Sequence, residues 1–368
     1  MEILRVAPWL YPDTYGGGEY HVHAMSRDQA AMGHDVTVVT TKEEGALPHQ
    51  EETEGYEVVR LSKGRTVVGN DISAAMARYL WHHVNEYDVI HAHSHLYFST
   101  NLAALVRRLN DVPLAITNHG LYSQSAPEQV FRWYLKTLGQ WTFDQADVVF
   151  CYTEVDRQRV RELGVNSRIE VVPNGIDTGR FTPAGPESGL IDAAGPVVLF
   201  VGRFAEGKRP WLAVEAFAAV LSEYPNAELY LCGDGPLRED LEAQVEELGI
   251  GESVTFLGHV SYDEMPKVYR SGDVFVLPSR AEGVPRTVLE AIASGLNIVL
   301  SDLDQVTSVL GNQAYVVADD RGDSFANGLL KAIGGLSEVS EQIEPDDHRW
   351  TDTVERTTRI LRSISENN

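Results

Sequence analysis

Two glutamates with seven residues between them, Glu282 and Glu290, lie in the stretch SRAEGVPRTVLEAIASG at residues 279–295. If both were helical, eight steps would separate them by about 12 Å and more than two turns, so they would not meet. They can address one ligand if Glu282 lies on a loop and Glu290 on the helix that follows. Pro285 marks that boundary, because proline is favoured at the first helical position, where its missing N–H leaves nothing unpaired. The amides of Arg286, Thr287 and Val288 are then expected to be open, with the helix dipole favouring an anion. The layout predicts one carboxylate for sugar hydroxyls, free amides for phosphate and a second carboxylate for a ribose. An isolated pair at this spacing is ordinarily two solvated glutamates on a loop and an amphipathic helix, so the surroundings decide.

Cations lie at another strand end. The run Gly202-Arg203-Phe204-Ala205-Glu206-Gly207-Lys208 follows the apolar VVLFV at 197–201. A guanidinium gives bidentate contacts to a phosphate, and an ammonium adds a compact charge. In the first half, His91, His93 and His95 alternate on the strand expected at 88–93, which puts them on one face. Zinc is conceivable there, but no cysteine is near, and packing with hydrogen bonds at a strand end is the preferred expectation. His119 follows a strand at 114–117, at the kind of carboxyl end where open α/β sheets bind ligands. Asp302 and Asp304 form an Asp-x-Asp pair that could bridge a divalent ion to a diphosphate. Placed after the Glu290 helix, the pair reads as a loop coincidence.

Positioning these groups requires two α/β halves. Apolar runs predict strands at 3–7, 36–40, 88–93, 114–117, 147–152 and 169–172, then at 197–201, 227–232, 254–257, 274–277 and 297–300. Helical patterns alternate with them, as in a parallel α/β fold. The first runs from His21 to Met32 and closes at Gly33. Before it, Gly16, Gly17 and Gly18 form a turn where backbone can approach a ligand closely. Residues 43–65 read as a hairpin or edge region. Residues 121–143 carry Phe131, Trp133, Tyr134, Trp141 and Phe143 among Arg132 and Lys136. That pattern suits a core-facing helix slightly better than an acceptor or lipid-headgroup surface. Residues 182–196, rich in Gly, Pro and Ala, read as a linker. An acidic stretch at 338–347 precedes a last helix from 349.

The chain has 368 residues, 43% of them hydrophobic, enough for two domains with buried cores. Its 30 basic and 54 acidic side chains give −24, with −7 through Arg180 and −17 beyond. Such a body repels nucleic acid at long range, so no nucleic-acid partner is expected. Only 6 of the basic residues are Lys. Acid-rich, Lys-poor composition suits a halophilic cytosol, where molar salt shortens the screening length to about 3 Å. Cys151 and Cys232 sit in apolar runs and read as buried thiols of a reducing compartment. MEILRVAPWL has no basic leader or cleavage site, and no apolar run approaches about 20 residues. A cytoplasmic protein is expected, peripheral at the cytoplasmic membrane face at most.

These motifs resemble those of the retaining glycosyltransferases of family 4. The family pattern of Ser, two residues, Glu-Gly, a small loop and Glu-Ala-x-Ala-x-Gly is met by Ser279, Glu282-Gly283 and Glu290-Ala291-Ile292-Ala293-Ser294-Gly295. GGGEYHV at 16–22 resembles the family's N-terminal loop, and His119-Gly120 its histidine–glycine step. Pro173-Asn174-Gly175-Ile176-Asp177 resembles the segment closing its first domain, and Gly233-Asp234-Gly235-Pro236 a tight turn of its second. The resemblance covers nearly the whole chain. Two departures put local substrate contacts in question: the usual Gly-Gly is missing at 301–304, and Asn297 stands where Pro is usual.

The resemblance implies an α/β fold of two facing Rossmann-like domains with an interdomain cleft, the GT-B architecture. An acceptor domain would span 1–182, with the helix at 349–366 packing back on it, and a nucleotide-sugar donor domain 183–348. It implies transfer of a sugar from a UDP- or GDP-sugar to a hydroxyl of a glycan, lipid-linked or small-molecule acceptor, with retention and with neither metal nor cofactor. Arg203 and Lys208 would stabilise the leaving diphosphate. Glu290 would hold the ribose, Glu282 the donor sugar hydroxyls, and His119 the sugar from the other domain. Gly17, Gly202, Gly233, Gly283, Val284, Pro285, Arg286 and Thr287 complete the implied donor set. No nucleophile is evident, so a front-face path is expected, with a donor phosphate oxygen taking the acceptor proton. A peripheral membrane contact would fall to the N-terminal domain. A nucleotide-sugar epimerase of the same fold and a non-catalytic nucleotide-sugar-binding protein are the alternatives.

Overall fold

The structure, a computed structural model, describes residues 1–42, 47–67, 70–94, 96–122, 128–310, 314–335 and 348–367. His95 and the acidic stretch at 338–347 lie outside the described residues. The chain divides into two compact units, Met1–Pro173 with Thr351–Asn368, and Asn174–Trp350. The first break thus falls at Pro173, inside the Pro-Asn-Gly segment, rather than at the expected linker.

The first unit contains β1 (Glu2–Val6), β2 (Asp35–Lys42), β3 (Gln50–Thr53), β4 (Tyr56–Ser62), β5 (Arg65–Val67), β6 (Asn70–Ile72), β7 (Val89–His93), β8 (Leu114–Thr117), β9 (Val148–Cys151) and β10 (Arg168–Val171). One sheet has the order β10-β9-β8-β7-β1-β2-β4-β3. It is parallel except where β3 runs antiparallel to β4; β5 and β6 form a separate hairpin. The central strands are mostly apolar because both of their faces are covered. Alternate residues part to opposite sides. Leu4, Val6, Ile90 and Ala92 meet Met76, Leu80, Leu102 and Phe143 of helices Ala74–His83, Phe98–Leu109 and Gln140–Asp144. Ile3 and Val89 meet Val22 of helix Gly17–Ala31 and Ile360, Leu361 and Ile364 of helix Trp350–Ser365.

A buried polar chain fixes the second of these layers. Arg5 donates from Nη1 to Ser26 Oγ at 2.7 Å and from Nη2 to Gln29 Oε1 at 2.5 Å. Gln29 Nε2 in turn donates to Thr358 Oγ1 at 2.8 Å, tying the C-terminal helix to the first one. Burial lowers the Arg5 pKa to about 9.

The glycine run is not a free turn. Gly16 caps the helix in extended backbone, and Gly17 and Gly18 open its first turn, earlier than the apolar pattern indicated. At the other end Gly33, at φ +85, supplies the left-handed residue. Its N–H donates to Ala30 O and that of His34 to Gln29 O, the doubled bond of a Schellman stop.

The second unit is a parallel sheet of β11 (Val197–Val201), β12 (Glu228–Cys232), β13 (Val254–Gly258), β14 (Val274–Leu277), β15 (Asn297–Ser301) and β16 (Ala314–Val317). The order is β13-β12-β11-β14-β15-β16. The chain therefore builds outward from β11 to β13, returns to β14 beside β11, and builds outward the other way. Between β11 and β14 the connecting loops leave in opposite directions and open a crevice at the strand carboxyl ends. In the first unit the same reversal falls between β1 and β7.

Candidate functional site

In the second unit, the loops after β11 and β14 border the reversal point and carry Arg203, Lys208 and Glu282. Lys208 Nζ meets Glu282 Oε1 at 2.5 Å, an ion pair joining the two loops. Glu282 is only 4% exposed. The backbone reinforces the junction: the Arg280 N–H donates to Gly207 O at 2.9 Å, and the Gln305 side-chain amide donates to Glu282 O. The exposed Arg203 side chain makes no hydrogen bond or ion pair among the described residues.

Arg209, which no spacing argument singled out, fastens the crevice floor. It is buried, with a left-handed φ of +49. Its Nε donates to Pro278 O at 2.6 Å, and Nη2 reaches Ser279 O and Ser301 Oγ, each at 3.2 Å. Nη1 pairs with Asp320 at 2.5 Å. One planar fork thus holds the ends of β14 and β15 to the base of the loop after β11. Gly233 brings in the loop after β12. At φ +145, a Cβ there would fall 2.0 Å from Gly202 O, so only glycine fits.

Helix Arg286–Ala293 follows the Glu282 loop. Pro285 is its cap, with ψ 126, rather than its first residue. Its carbonyl accepts from the Val288 N–H at 3.2 Å, so that amide, expected to be open, is used within the helix. Thr287 Oγ1 and Ser279 Oγ are buried and lack a partner among the described residues, the condition a polar ligand would relieve. The Arg286 guanidinium turns inward. It donates to Gly175 O at 2.8 Å and Tyr262 Oη at 3.0 Å, and it stacks 5.1 Å from the Trp350 ring centre. Val284 O accepts from Asn174 Nδ2 at 3.0 Å.

Glu290 is 4% exposed. Tyr262 Oη donates to its Oε1 at 3.1 Å and Tyr269 Oη to its Oε2 at 3.2 Å, with Arg286 Nε 3.7 Å away. Burial raises its pKa, opposed by Arg286 and the two tyrosine hydroxyls. The structure thus pairs Lys208 with Glu282 and, separately, Arg286 with Glu290. Neither tyrosine carries a local sequence signal, since each meets Glu290 only through tertiary folding.

In the first unit, histidines line the reversal point. His91 bonds Thr117 Oγ1 through Nε2 at 2.8 Å, and its Nδ1 lies 3.3 Å from Arg5 Nη2. His93 Nδ1 meets His119 Nε2 at 3.1 Å, and His119 Nδ1 meets Tyr152 Oη at 2.9 Å. His21, from the glycine-led helix, packs edge-on against His119 with ring centres 5.4 Å apart. Burial lowers the His119 pKa to about 4 and holds His91 and His93 well below the ordinary value. These rings are neutral near pH 7. Gly18 lies beside His119, whereas a Cβ on Gly17 would meet nothing within 4 Å. No cluster of three or more His, Cys, Asp or Glu among the described residues could hold a metal ion.

Two family models match the chain, Glycosyltransferase Family 4 over residues 15–180 and Glycosyl transferases group 1 over residues 184–343. The chain is a group 1 glycosyltransferase of the family 4 type. Among curated relatives of this glycosyltransferase is the phosphatidylinositol N-acetylglucosaminyltransferase gpi3 subunit of Schizosaccharomyces pombe. It is 23% identical over 99% of this chain and 81% of its own length. Another is UDP-Gal:alpha-D-GlcNAc-diphosphoundecaprenol alpha-1,3-galactosyltransferase of Escherichia coli, 26% identical over 71% and 70%. Sucrose-phosphate synthase from Thermosynechococcus elongatus superposes with a TM-score of 0.82 at 20% identity, covering 100% of both chains. That likeness bears out the expected α/β fold of two Rossmann-like domains. The glycosyltransferase class is borne out as well, and the matches do not favour the epimerase or the non-catalytic binder. No helix among the described residues is long and apolar enough to cross a membrane.

Proposed function

We propose that this glycosyltransferase moves a hexosyl group from a UDP- or GDP-sugar to an acceptor hydroxyl, with retention at the anomeric carbon and without a metal. The observation that carries the reading is the Lys208–Glu282 pair at the reversal point of the second sheet, beside the exposed Arg203. An ammonium has three donors, and Lys208 uses one on Glu282, leaving two for a diphosphate. Arg203 adds a bidentate fork. As the glycosidic bond breaks, the electron pair leaves with the phosphate oxygen, and these cations stabilise the charge that develops there. They supply what a divalent ion would otherwise supply.

Glu282 keeps acceptor capacity for hydroxyls of the donor sugar. Each Glu290 oxygen accepts one tyrosine hydroxyl and retains a second lone pair, enough for a ribose hydroxyl. The Thr287 and Ser279 hydroxyls would find their partners in the same ligand. The acceptor oxygen attacks on the face the diphosphate leaves, and a donor phosphate oxygen takes its proton, so no protein nucleophile is needed. His119, neutral and oriented by His93 and Tyr152, would contact the transferred sugar. Two curated relatives named for phosphatidylinositol and for a diphosphoundecaprenol support a lipid-linked acceptor, the one we propose, against a Mycobacterium tuberculosis glycogen synthase, 28% identical over 82% of this chain, whose name points to a glycan. The first unit would then make a peripheral contact at the cytoplasmic membrane face.

Calorimetry with UDP, GDP and ADP in EDTA, followed by mass spectrometry of reactions with the matching nucleotide sugars, tests the reading. Binding of one nucleoside diphosphate and transfer to an added alcohol are expected, with proton NMR showing the donor's anomeric configuration kept. Loss of binding in EDTA would overturn metal independence. An inverted product would overturn retention, and binding without transfer to any acceptor would leave a binder.

A further inference from the structure

The first unit carries an outer helical layer whose charge is opposite to that of the rest of the protein. Helix Phe98–Leu109 lies between helix Ala74–His83 and the segment 129–143 on one side of the sheet. Among 54 acidic residues in the chain, none falls in the first two helices or in residues 129–143, which hold Arg78, Arg107, Arg108, Arg132 and Lys136; Asp111, Glu128 and Asp144 stand just outside these bounds. Arg107 is engaged with Asp147. The side chains of Arg78, Arg108 and Lys136 make no hydrogen bond or ion pair among the described residues. Of the flanking acids, Glu86 pairs with His83, Asp144 accepts from the Asn166 N–H, and Asp111, exposed beside the end of helix Phe98–Leu109, interacts with Arg107.

The same layer exposes large apolar side chains: Trp81, Leu105, Leu109, Val130, Trp133 and Leu138. Trp133 is 70% exposed and Trp81 56%. Each stretch interleaves them with a cation at helical spacing. Arg78 stands three before Trp81, Arg108 lies between Leu105 and Leu109, and Val130 and Trp133 precede Lys136. Residues three or four apart share a helix face. Each helix therefore shows a mixed apolar and cationic strip while its opposite strip feeds the core. The expectation of a core-facing aromatic segment holds for Phe143, which is fully buried, and fails for Trp133.

We infer that this layer docks on an anionic lipid bilayer surface. Tryptophans and leucines would enter the headgroup boundary, while Arg and Lys stems reach up to the lipid phosphates. Charge complementarity selects this occupant. A body of −24 is repelled by an anionic membrane, and only a face cleared of carboxylates can approach one, gaining from each basic residue near the surface. The inference assigns residues to the peripheral contact proposed above and rests on that reading, while glycosyl transfer is measured independently of it.

The test uses the full chain and co-sedimentation with vesicles of phosphatidylglycerol and phosphatidylcholine, against vesicles of phosphatidylcholine alone. The protein should partition preferentially onto the anionic vesicles. Arg108→Gln with Lys136→Gln should weaken that partition roughly thirtyfold, and Trp81→Ser with Trp133→Ser by about tenfold or more. Both variants change exposed residues, so transfer to a water-soluble acceptor should stay at the wild-type rate, which also shows that they fold. Equal partition of wild type and variants, or none onto anionic vesicles, would overturn the proposal. So would light scattering in which Trp133→Ser turns a dimer into a monomer without changing partition, since the face would then join two copies of the chain. Failure of soluble transfer in the wild type would count against the transferase reading and leave the docking result standing.

Discussion

The two parallel sheets reverse strand order in the same way, yet their reversal points carry opposite chemistry. In the first unit the carboxyl ends of β7 and β8 gather His93 and His119, with His21 and Tyr152 against them, rings that burial keeps neutral. In the second, the loops after β11 and β14 hold the Lys208–Glu282 ion pair and the exposed Arg203. A parallel sheet brings its strand ends to one place whatever its loops contain. The loops then choose the chemistry. Under the proposed function the charged loops would hold the diphosphate, and the neutral ring nitrogens and the phenol would orient a hydroxyl.

The deepest cut into this contrast is Lys208→Ala, which strands the Glu282 carboxylate. Breaking a buried pair costs about 3–5 kcal/mol, and losing a charge-stabilising donor lowers turnover by about 10²–10³. Lys208→Ala with Glu282→Ala should recover much of the stability and none of the turnover. Urea unfolding reads the first and initial rates the second. Turnover that returned with stability would make the pair a structural clasp only.

Arg203→Ala sharpens the same contrast without the structural cost. A fall of about 10²–10³ in turnover is expected. The unfolding free energy should stay within about 0.5 kcal/mol, because the exposed side chain has no hydrogen-bond or ion-pair partner among the described residues. A near-normal rate would take Arg203 out of the site.

The residues of this half differ in how far the sequence revealed them. Arg203, Lys208 and Glu282 stand out because their motifs resemble those of the family, and each also follows an apolar run read correctly as a strand, whose end is a place topology fixes. The strands were legible because burial on both faces demands unbroken Val, Ile and Leu. Arg209, Tyr262 and Tyr269 are not legible, since their partners lie 21 to 111 residues away in sequence. Pro285 was displaced by one position, because a proline that starts a helix and one that caps it differ only in ψ. The glycines at 17 and 18 were read as loop because glycine is a poor helix former, a weak preference that packing overrides. Periodicity also could not say that Trp133 faces out, since it registers apolar spacing and not what covers it.

Tyr269→Phe probes the buried acid beside the charged half. The change keeps the ring and removes the donor to Glu290 Oε2, leaving a buried carboxylate oxygen with one partner fewer. A loss of about 1–3 kcal/mol is expected, read by urea unfolding. Calorimetry with the bound nucleotide should show affinity falling together with stability. Unchanged stability would show that the tyrosine does not hold Glu290 in place.

The smallest effect comes from the neutral half and appears as a pH slope. The His119 pKa is about 4, against 6.5 for the free side chain, and burial is the cause. Between those values the unfolded chain binds a proton that the native chain refuses. Stability therefore rises with pH through this window and is lost as pH falls from 6.5 toward 4, by at most about 1.4 kcal/mol per pH unit for one group. His119→Gln should flatten the slope of unfolding free energy against pH by about one proton, with His91 and His93 sustaining what remains. If His119→Gln left the slope intact, the ring would already be charged in the native state. The first reversal point would then present a cation, as the second does, and the contrast between them would be lost.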